Sequence, residues 1–140
     1  MLKVLFVCQG NVNRSQMAAA FLKRMMPEAE VSSAGTIVPP DREGTLVSDV
    51  SSKGSAVMQA VGLDIASNVI RKLTPQMIDA ADMVILVGPT PGGPLPDFLE
   101  ESPKLITWDV PDPGYAQVTH EVARDMILER VTQLVQKLHS

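Results

Sequence analysis

The segment from Cys8 to Ser15, with sequence Cys-Gln-Gly-Asn-Val-Asn-Arg-Ser, has the residue types and spacing needed for chemistry on a phosphate. Cys8 is the only cysteine of the 140 residues, and a thiol attacks only as its thiolate. Arg14 carries a fixed positive charge, and its planar guanidinium can hold two oxygens of a tetrahedral oxyanion. Ser15 can aim its hydroxyl at the sulfur. The pattern predicts a nucleophilic cysteine beside an anion site.

The flanking residues predict which elements hold this segment. Residues 3–7 form an apolar run typical of a short buried strand, and residues 15–26 predict a helix that ends before Pro27. The loop between them therefore ends at a helix N-terminus, where free N–H groups attract anions and stabilise a thiolate. We expect the phosphate to be bound by Gln9, Gly10, Asn11, Val12, Asn13 and Arg14.

Two residues of the loop favour an unusual backbone. Gly10 can approach another backbone closely or adopt positive φ, and Asn11 tolerates the left-handed region. An alternative interpretation is that Cys8 is only a small buried side chain at the end of a strand. That interpretation leaves the ordered sequence of strand, Gly-Asn turn, Arg-Ser pair and helix unexplained, so we favour the catalytic one.

The chain resembles the low-molecular-weight protein tyrosine phosphatase family, a fold shared with thioredoxin-coupled arsenate reductases. The similarity lies in Cys-x-Gly-Asn-x-x-Arg-Ser after the first strand, Ser-Ala-Gly-Thr at 33–36, residues 71–74 followed by 81–85, and the Asp-Pro element at 108–113. The resemblance implies hydrolysis of phosphate monoesters, either protein phosphotyrosine or small aryl phosphates, through a cysteinyl-phosphate intermediate. It implies Cys8 as nucleophile, Arg14 as phosphate ligand and Ser15 as support for the departing sulfur, without cofactor or metal.

A phosphate ester also needs a proton donor for its leaving oxygen, normally a carboxylic acid held in place. Asp112 is the candidate, because the prolines at 111 and 113 restrict its backbone. Asp109 in the same segment is a rival, and the Asp-Pro pair taken alone is typical of a simple turn. The resemblance favours Asp112, which would then act as base for the water of the second step.

The chain departs from the family at several positions. Asn13 stands where many members have a second cysteine, so the loop cannot protect Cys8 as a disulfide. Asn68 stands where members often have a histidine that supports the loop asparagine, and Ala19 replaces a usual acidic residue. Gly114-Tyr115 replaces a pair of aromatic residues, which leaves Tyr115 as the one aromatic substrate-binding wall.

Composition excludes other classes of protein. A net charge of −4 argues against a nucleic-acid or membrane-surface binder. One cysteine permits no internal disulfide and indicates a cytoplasmic protein, and no targeting or membrane-spanning segment is visible. Both histidines lie in or beside the last predicted helix, so no metal cluster is expected. The partner expected is a phosphorylated protein or a small phosphate ester, and the oligomeric state is left open.

The order of elements predicts one α/β domain over residues 1–140, a three-layer sandwich of a four-stranded parallel sheet with helices on both faces and the phosphate loop after strand 1. The other strands are predicted at 30–33, 83–87 and 104–107, and the other helices at 55–61, at 75–81 and after Thr119. Two features support this prediction. The predicted strands are wholly apolar, and the last helix has an apolar face from Val122 to Leu138. Residues 35–52 read as a surface loop. Residues 88–94 read as a flexible edge of the site or, as we favour, a connector.

Two alternative functions stay open. Residues 14–18 and 108–113 resemble the arsenate reductases somewhat more than the eukaryotic-type phosphatases. A chain with one cysteine cannot relay a disulfide internally, but it can reduce arsenate with an external thiol, because arsenate and phosphate have nearly the same shape. The second alternative is an oxyanion-binding domain without turnover, which the presence of Cys8, Arg14, Ser15 and Asp112 argues against.

Overall fold

The computed structural model describes residues 1–115 and 117–140. In this part of the chain, strands and helices alternate as the sequence predicts, with two additional short helices. The elements are β1 (Lys3–Cys8), α1 (Arg14–Met25), β2 (Glu30–Gly35), α2 (Val47–Val50), α3 (Lys53–Gln59), α4 (Pro75–Ala80), β3 (Met83–Gly88), α5 (Asp97–Glu100), β4 (Leu105–Asp109) and α6 (His120–Leu138).

The four strands form one parallel sheet in the order β2-β1-β3-β4. The central strands β1 and β3 are buried along nearly their whole length, whereas β2 and β4 are partly exposed. The predicted fold is confirmed, but the expectation that every strand is wholly apolar is wrong for β2 and β4. Both lie at the edges of the sheet, where one side of the strand has no neighbour and polar residues remain solvated.

Helices cover both faces of the sheet. On one face α1 and α6 pack against β1 and β3 around a cluster that includes Phe6, Leu22 and Ile127. On the other face, side chains from the α4 and α5 region, such as Ile78 and Leu99, cover the opposite sides of β1 and β3. Alternate residues of β1 therefore point into different cores, which gives the three layers that the sequence predicts.

Three local features differ from the sequence-based expectations. The segment 35–52 is not only a surface loop, because Val38 and Val47 are buried in a small cluster with Val12 and Ile70. The short helices α2 and α5 carry too few residues to show a period. Val122, predicted on the buried face of α6, is 46% exposed, because that face begins at Ala123 and continues through Ile127, Val131 and Leu134.

The sheet brings the chemically interesting segments to one edge. Cys8, the last residue of β1, pairs with Gly35 at the end of β2, and Gly88 at the end of β3 pairs with Asp109 at the end of β4. Since all strands are parallel, the four segments that follow them leave the sheet at its carboxyl edge. Open parallel sheets bind ligands at this edge.

Candidate active site

The loop after β1 leads directly into the first turn of α1. That turn carries no acidic residue, and Asn13 at the N-cap position makes no side-chain cap. Within residues 1–115 and 117–140, the backbone N–H groups of residues 10–13 donate to no protein acceptor. Because the helix dipole also favours negative charge at this end, the loop offers an oxyanion several unused donors in an electropositive environment.

Asn11 gives the loop its shape. It has a φ of 58° and is fully buried, as the tolerance of asparagine for the left-handed region predicts. Gly10, for which positive φ or a close backbone approach was expected, shows neither. Its φ is outside the positive range, and a Cβ at this position would meet only Val12 Cγ2, at 3.9 Å.

The close approach expected at Gly10 is found instead at Gly35, on the neighbouring strand. A Cβ there would lie 2.8 Å from the carbonyl oxygen of Gln9 and 3.0 Å from the backbone nitrogen of Asn11. The end of β2 therefore packs directly against the backbone of the phosphate loop.

The side chain of Asn11 ties the loop to three other parts of the chain. Its Nδ2 donates to Ser15 Oγ at 2.8 Å and to Ser33 Oγ at 3.0 Å. Its Oδ1 accepts from the backbone N–H of Arg71 at 2.9 Å and from Gln16 Nε2 at 3.2 Å. The two donor hydrogens and the acceptor oxygen of this amide are thus all used, and the loop is fixed to α1, β2 and the segment before α4.

Cys8 and Ser15 form the centre of the site. Cys8 Sγ lies 3.0 Å from Ser15 Oγ, and both residues are buried. Asn11 Nδ2 can only donate, so the Ser15 oxygen accepts that bond and keeps its own hydrogen available. The hydroxyl is therefore placed to donate to the sulfur when the sulfur carries negative charge.

Arg14 is buried, with 2% of its surface exposed, and its guanidinium reaches the segment after β4. Nη1 donates to the carbonyl oxygen of Val110 at 2.9 Å, and Nη2 lies 3.2 Å from Asp112 Oδ2. The other carboxylate oxygen of Asp112 accepts from the backbone N–H of Gly114 at 2.9 Å. A buried charge requires such partners, and these contacts place the carboxylate in the same site as Cys8.

Asp109, the rival carboxylate, lies elsewhere. It is exposed and lines a separate depression with Met126 and Glu129 of α6. Of the two aspartates, the structure brings Asp112 alone to the cavity that Cys8 lines.

A cavity of about 340 Å³ opens above Cys8. The phosphate loop forms its floor, the segment after β4 contributes Asp112 and Tyr115, and the segment after β2 forms the remaining wall. Its lining residues are Cys8, Gln9, Gly10, Val12, Asn13, Arg14, Ile37, Pro39, Arg42, Val50, Ser51, Asp112 and Tyr115. Segment 35–52 therefore contributes to the lining of the site. The sequence leaves this point open, and the position of the segment directly after a strand is the only feature of the sequence that indicates it.

Gln16 is a supporting residue that sequence reasoning missed. Its Nε2 lies 3.2 Å from the carbonyl oxygen of Asn11 and 3.4 Å from that of Val69, and its Oε1 accepts from Asn68 Nδ2 at 3.1 Å. Asn68, expected to support the loop asparagine, thus acts on it through Gln16. The sequence does contain a signal for this role, because Gln16 is a polar residue that directly follows Arg14-Ser15 and lies in the first turn of α1, next to the loop.

Segment 88–94 reaches the rim of the cavity. The backbone N–H of Gly92 donates to Gln9 Oε1 at 2.8 Å, and Gln9 Nε2 donates to the hydroxyl of Tyr115 at 3.3 Å. Between the two interpretations of segment 88–94, these contacts favour an edge of the site over a connector.

Two further observations bear on ligands. Outside Ala116, which lies beyond the described residues, no three His, Cys, Asp or Glu side chains are grouped so as to hold a metal ion. Over the same described ranges, none of the helices combines the length and apolar character needed to cross a membrane.

An α/β sheet with a cysteine at the end of its first strand, an arginine at the start of the following helix and an anion-binding loop between them defines a class of phosphatase-like proteins. The chain belongs to the low molecular weight phosphotyrosine protein phosphatase family, whose model matches residues 3–140. The family assignment made from the sequence is therefore confirmed.

Individual relatives agree with this assignment. The chain is 31% identical over 139 residues to the glutaredoxin arsenate reductase of a Synechocystis species, covering 99% of both chains. It is 29% identical over 84 residues to the low molecular weight protein-tyrosine-phosphatase Ptp of Acinetobacter johnsonii, covering 60% of this chain and 55% of that protein. The match thus spans about half the length of this phosphatase relative.

Among solved structures, the YwlE arginine phosphatase from Geobacillus stearothermophilus superimposes with a TM-score of 0.79. The two chains are 29% identical, and the match covers 99% of this chain and 94% of the other.

Proposed function

We propose that the protein hydrolyses phosphate monoesters, either protein phosphotyrosine or small aryl phosphates, through a cysteinyl-phosphate intermediate. One observation carries the proposal. Cys8 Sγ lies 3.0 Å from a serine hydroxyl at the base of a cavity, and Arg14 and Asp112 border the same cavity in mutual contact. A nucleophile, a cationic oxyanion ligand and a proton carrier are thus gathered in one place.

In the first step, Cys8 Sγ forms a bond to phosphorus while the bond from phosphorus to the leaving oxygen breaks. The electron pair of that bond stays with the leaving oxygen, which takes a proton from Asp112. Arg14 and the N–H groups of residues 10–13 hold the equatorial oxygens, where charge develops.

In the second step, Asp112 accepts a proton from water as the water oxygen bonds to phosphorus. The bond from sulfur to phosphorus breaks, and its electron pair returns to Cys8. The Ser15 hydroxyl donates a hydrogen bond to the departing sulfur and keeps its proton, which stabilises the thiolate and makes sulfur a better leaving group. The step releases inorganic phosphate and restores the starting state.

The walls of the cavity support an aryl ester as substrate. Val12 of the phosphate loop and Ile37, Pro39 and Val50 of segment 35–52 contribute apolar surface to the cavity, and Tyr115 adds an aromatic ring at the rim. An aromatic leaving group would bury its ring against these side chains and stack on or against Tyr115. A small alkyl phosphate would gain little from them.

The test is hydrolysis of p-nitrophenyl phosphate and of a phosphotyrosine peptide by three single variants. We expect Cys8→Ser to lose turnover but to keep phosphate binding, because the loop donors and Arg14 remain. We expect Asp112→Asn to lower kcat by roughly two to four powers of ten, the usual contribution of a placed general acid.

Asp109→Asn is the matched control, since it makes the same substitution three residues earlier and outside the cavity. A large loss of kcat in Asp109→Asn with little loss in Asp112→Asn would show that the acid is wrongly assigned. Absence of hydrolysis by the unaltered protein would favour an oxyanion-binding domain.

A second candidate, arsenate reduction with an external thiol, is favoured by the relative that is 31% identical over 99% of the chain. Cys8 would bond to arsenic(V) while the bond from arsenic to one oxygen breaks and that oxygen leaves as water. An external thiol would then attack the sulfur. The electron pair of the sulfur–arsenic bond would pass to arsenic, releasing arsenite, and a second external thiol would reduce the mixed disulfide. Thiol-dependent formation of arsenite with negligible ester hydrolysis would support this function over the first.

We further propose that the protein works in the cytoplasm as one domain over residues 1–140, on phosphorylated proteins or small phosphate esters and without nucleic-acid or membrane partners. A lone catalytic thiol requires reducing conditions, because the phosphate loop holds Asn13 and not a second cysteine that could protect it. The net charge of −4 also disfavours binding to anionic polymers and lipids.

A further inference from the structure

The side chain of Gln9 connects two segments at the rim of the cavity. Its Oε1 accepts from the backbone N–H of Gly92, at 2.8 Å, in the loop after β3. Its Nε2 donates to the hydroxyl of Tyr115, at 3.3 Å, in the loop after β4. The reaction as derived above uses no atom of the Gln9 side chain, so these contacts have no part in the bond-making steps.

Gly92 shows how closely the loop after β3 approaches this side chain. A Cβ at position 92 would lie 2.6 Å from Gln9 Nε2 and 2.9 Å from Gln9 Cδ. These distances are shorter than any ordinary contact, so a larger residue at 92 would displace the amide. The absence of a side chain at Gly92 therefore leaves room for the Gln9 amide, which the backbone N–H of Gly92 contacts from outside the phosphate loop.

The contact with Gln9 holds the exposed ring of Tyr115 at its hydroxyl end. The residue is 64% exposed, and within the described residues its hydroxyl makes one hydrogen bond, the one from Gln9. An exposed ring without this anchor would have to lose its rotational freedom when it contacts a substrate, which costs binding free energy. Held at its far end, the ring is ordered before the substrate arrives.

We propose that Gln9 is a positioning residue that orients Tyr115 as the aromatic wall of the cavity, with Gly92 fixing Gln9 in turn, so that this three-residue contact sets the preference for aryl over alkyl phosphates. The inference rests on the proposed function in one respect only, that the cavity accepts the phosphoryl group of an ester. The contact acts on the group beyond the phosphate and leaves the phosphate ligands unchanged.

The test measures binding, so it does not require turnover. Phenylphosphonate and methylphosphonate are titrated calorimetrically into the unaltered protein, Gln9→Leu, Tyr115→Phe and the double variant. The readout is the ratio of the two affinities. Because a neutral hydrogen bond contributes about as much as a fivefold change in affinity, we expect each single variant to lower the ratio about fivefold. The double variant should lower it no further, since both changes break one contact.

Two more variants separate positioning from a general structural effect. Gly92→Ala changes neither Gln9 nor Tyr115 but displaces the side-chain amide of Gln9. We therefore expect the same decrease in the ratio of phenylphosphonate to methylphosphonate affinity, with the affinity for methylphosphonate unchanged. Gln9→Glu keeps an acceptor for Gly92 and lets the hydroxyl of Tyr115 donate to the carboxylate. We therefore expect it to retain the ratio, even though its negative charge weakens binding of both phosphonates.

The proposal is overturned if the losses in Gln9→Leu and Tyr115→Phe add in the double variant, or if Gly92→Ala weakens both phosphonates equally. Its failure is distinguishable from failure of the proposed function. A protein that prefers phenylphosphonate through this contact but hydrolyses no ester would refute the phosphatase mechanism alone. A protein that hydrolyses aryl phosphates with an unchanged ratio in Gln9→Leu would refute the role of Gln9 alone.

Discussion

Asn11→Ala tests whether one side chain holds the phosphate loop in shape. Asn11 is fully buried, has a φ of 58° and makes four side-chain hydrogen bonds, with Ser15, Ser33, Gln16 and the backbone of Arg71. Alanine removes all four bonds and tolerates the left-handed backbone poorly. The substitution therefore acts on the loop and leaves the side chains of Cys8 and Arg14 in place.

The magnitude follows from these contacts. At about 1 kcal/mol for each hydrogen bond, the four bonds contribute about 4 kcal/mol to the free energy of unfolding. Placing alanine in the left-handed region costs roughly 1–2 kcal/mol more. We expect Asn11→Ala to destabilise the protein by about 5 kcal/mol, which is a large part of the 5–15 kcal/mol typical of a domain. Because Ser15 also loses its fixed orientation, kcat should fall at least about tenfold.

Urea unfolding followed by the fluorescence of Trp108 measures the change, because Trp108 is the single tryptophan and is buried. Asn11→Gly is the matched control. Glycine loses the same four hydrogen bonds but accepts positive φ, and it gains only roughly 0.4–1 kcal/mol of unfolded-chain entropy. We therefore expect Asn11→Gly to be about 1 kcal/mol more stable than Asn11→Ala.

A loss below about 1 kcal/mol in Asn11→Ala would contradict the reasoning, because it would be smaller than one hydrogen bond is worth. Equal kcat in Asn11→Gly and the unaltered protein would show that Ser15 is oriented without Asn11.

Two further predictions concern the neighbourhood of the site. Gly35→Ala should destabilise the protein by roughly 1–3 kcal/mol in urea unfolding and lower kcat/KM. The reason is that the added Cβ would lie 2.8 Å from the Gln9 carbonyl oxygen and 3.0 Å from the Asn11 backbone nitrogen. Unchanged kinetics would show that the loop can move away from the new methyl group. Burial, with a smaller contribution from Lys53, lowers the pKa of His120 below 6.5. The stability that neutral His120 contributes is therefore present above pH 6.5 and is lost as the pH falls through the folded-state pKa. A titration midpoint above 6.5 for the His120 ring proton in NMR would contradict this prediction.

Much of the fold was predictable because its signals are local. β1 and β3 are central strands buried on both faces, so their sequences are continuously apolar and easy to recognise. Edge strands carry a weaker signal, and β4 was predicted at 104–107 whereas it spans Leu105–Asp109. The helices α2 and α5 have four residues each, too few for an apolar pattern to repeat, so the sequence carries no periodic signal for them.

The candidate site was predictable to the extent that it is contiguous in sequence. Cys8, Arg14 and Ser15 lie on one loop whose ends are fixed by a strand and a helix, so their proximity follows from spacing. Asp112 needed the resemblance as well, because the prolines on either side of it favour it without excluding Asp109. The contact of Arg14 with Asp112, made across 98 positions of the chain, has no sequence signal.

The remaining walls depend on tertiary packing. Ile37 and Arg42 line the cavity because β2 lies beside β1 in the sheet. The sequences of the two strands do not indicate which strands are neighbours, so this part of the wall could not be predicted. Gln16 and Asn68 are 52 positions apart, and their pairing depends on how the segment before α4 folds back over α1. Such contacts follow from the assembled fold and not from any local pattern.

The anchoring of Arg14 on a main-chain carbonyl has a consequence for how this protein can be altered. Any residue at position 110 offers the same backbone oxygen, so the hydrogen bond from Arg14 does not use the side chain of Val110, which is itself buried in the core. The number of residues between Val110 and Asp112 is constrained, because the Val110 carbonyl oxygen and the Asp112 carboxylate both contact the rigid guanidinium of Arg14. An insertion or deletion between residues 110 and 112 would therefore separate two groups that Arg14 contacts at once.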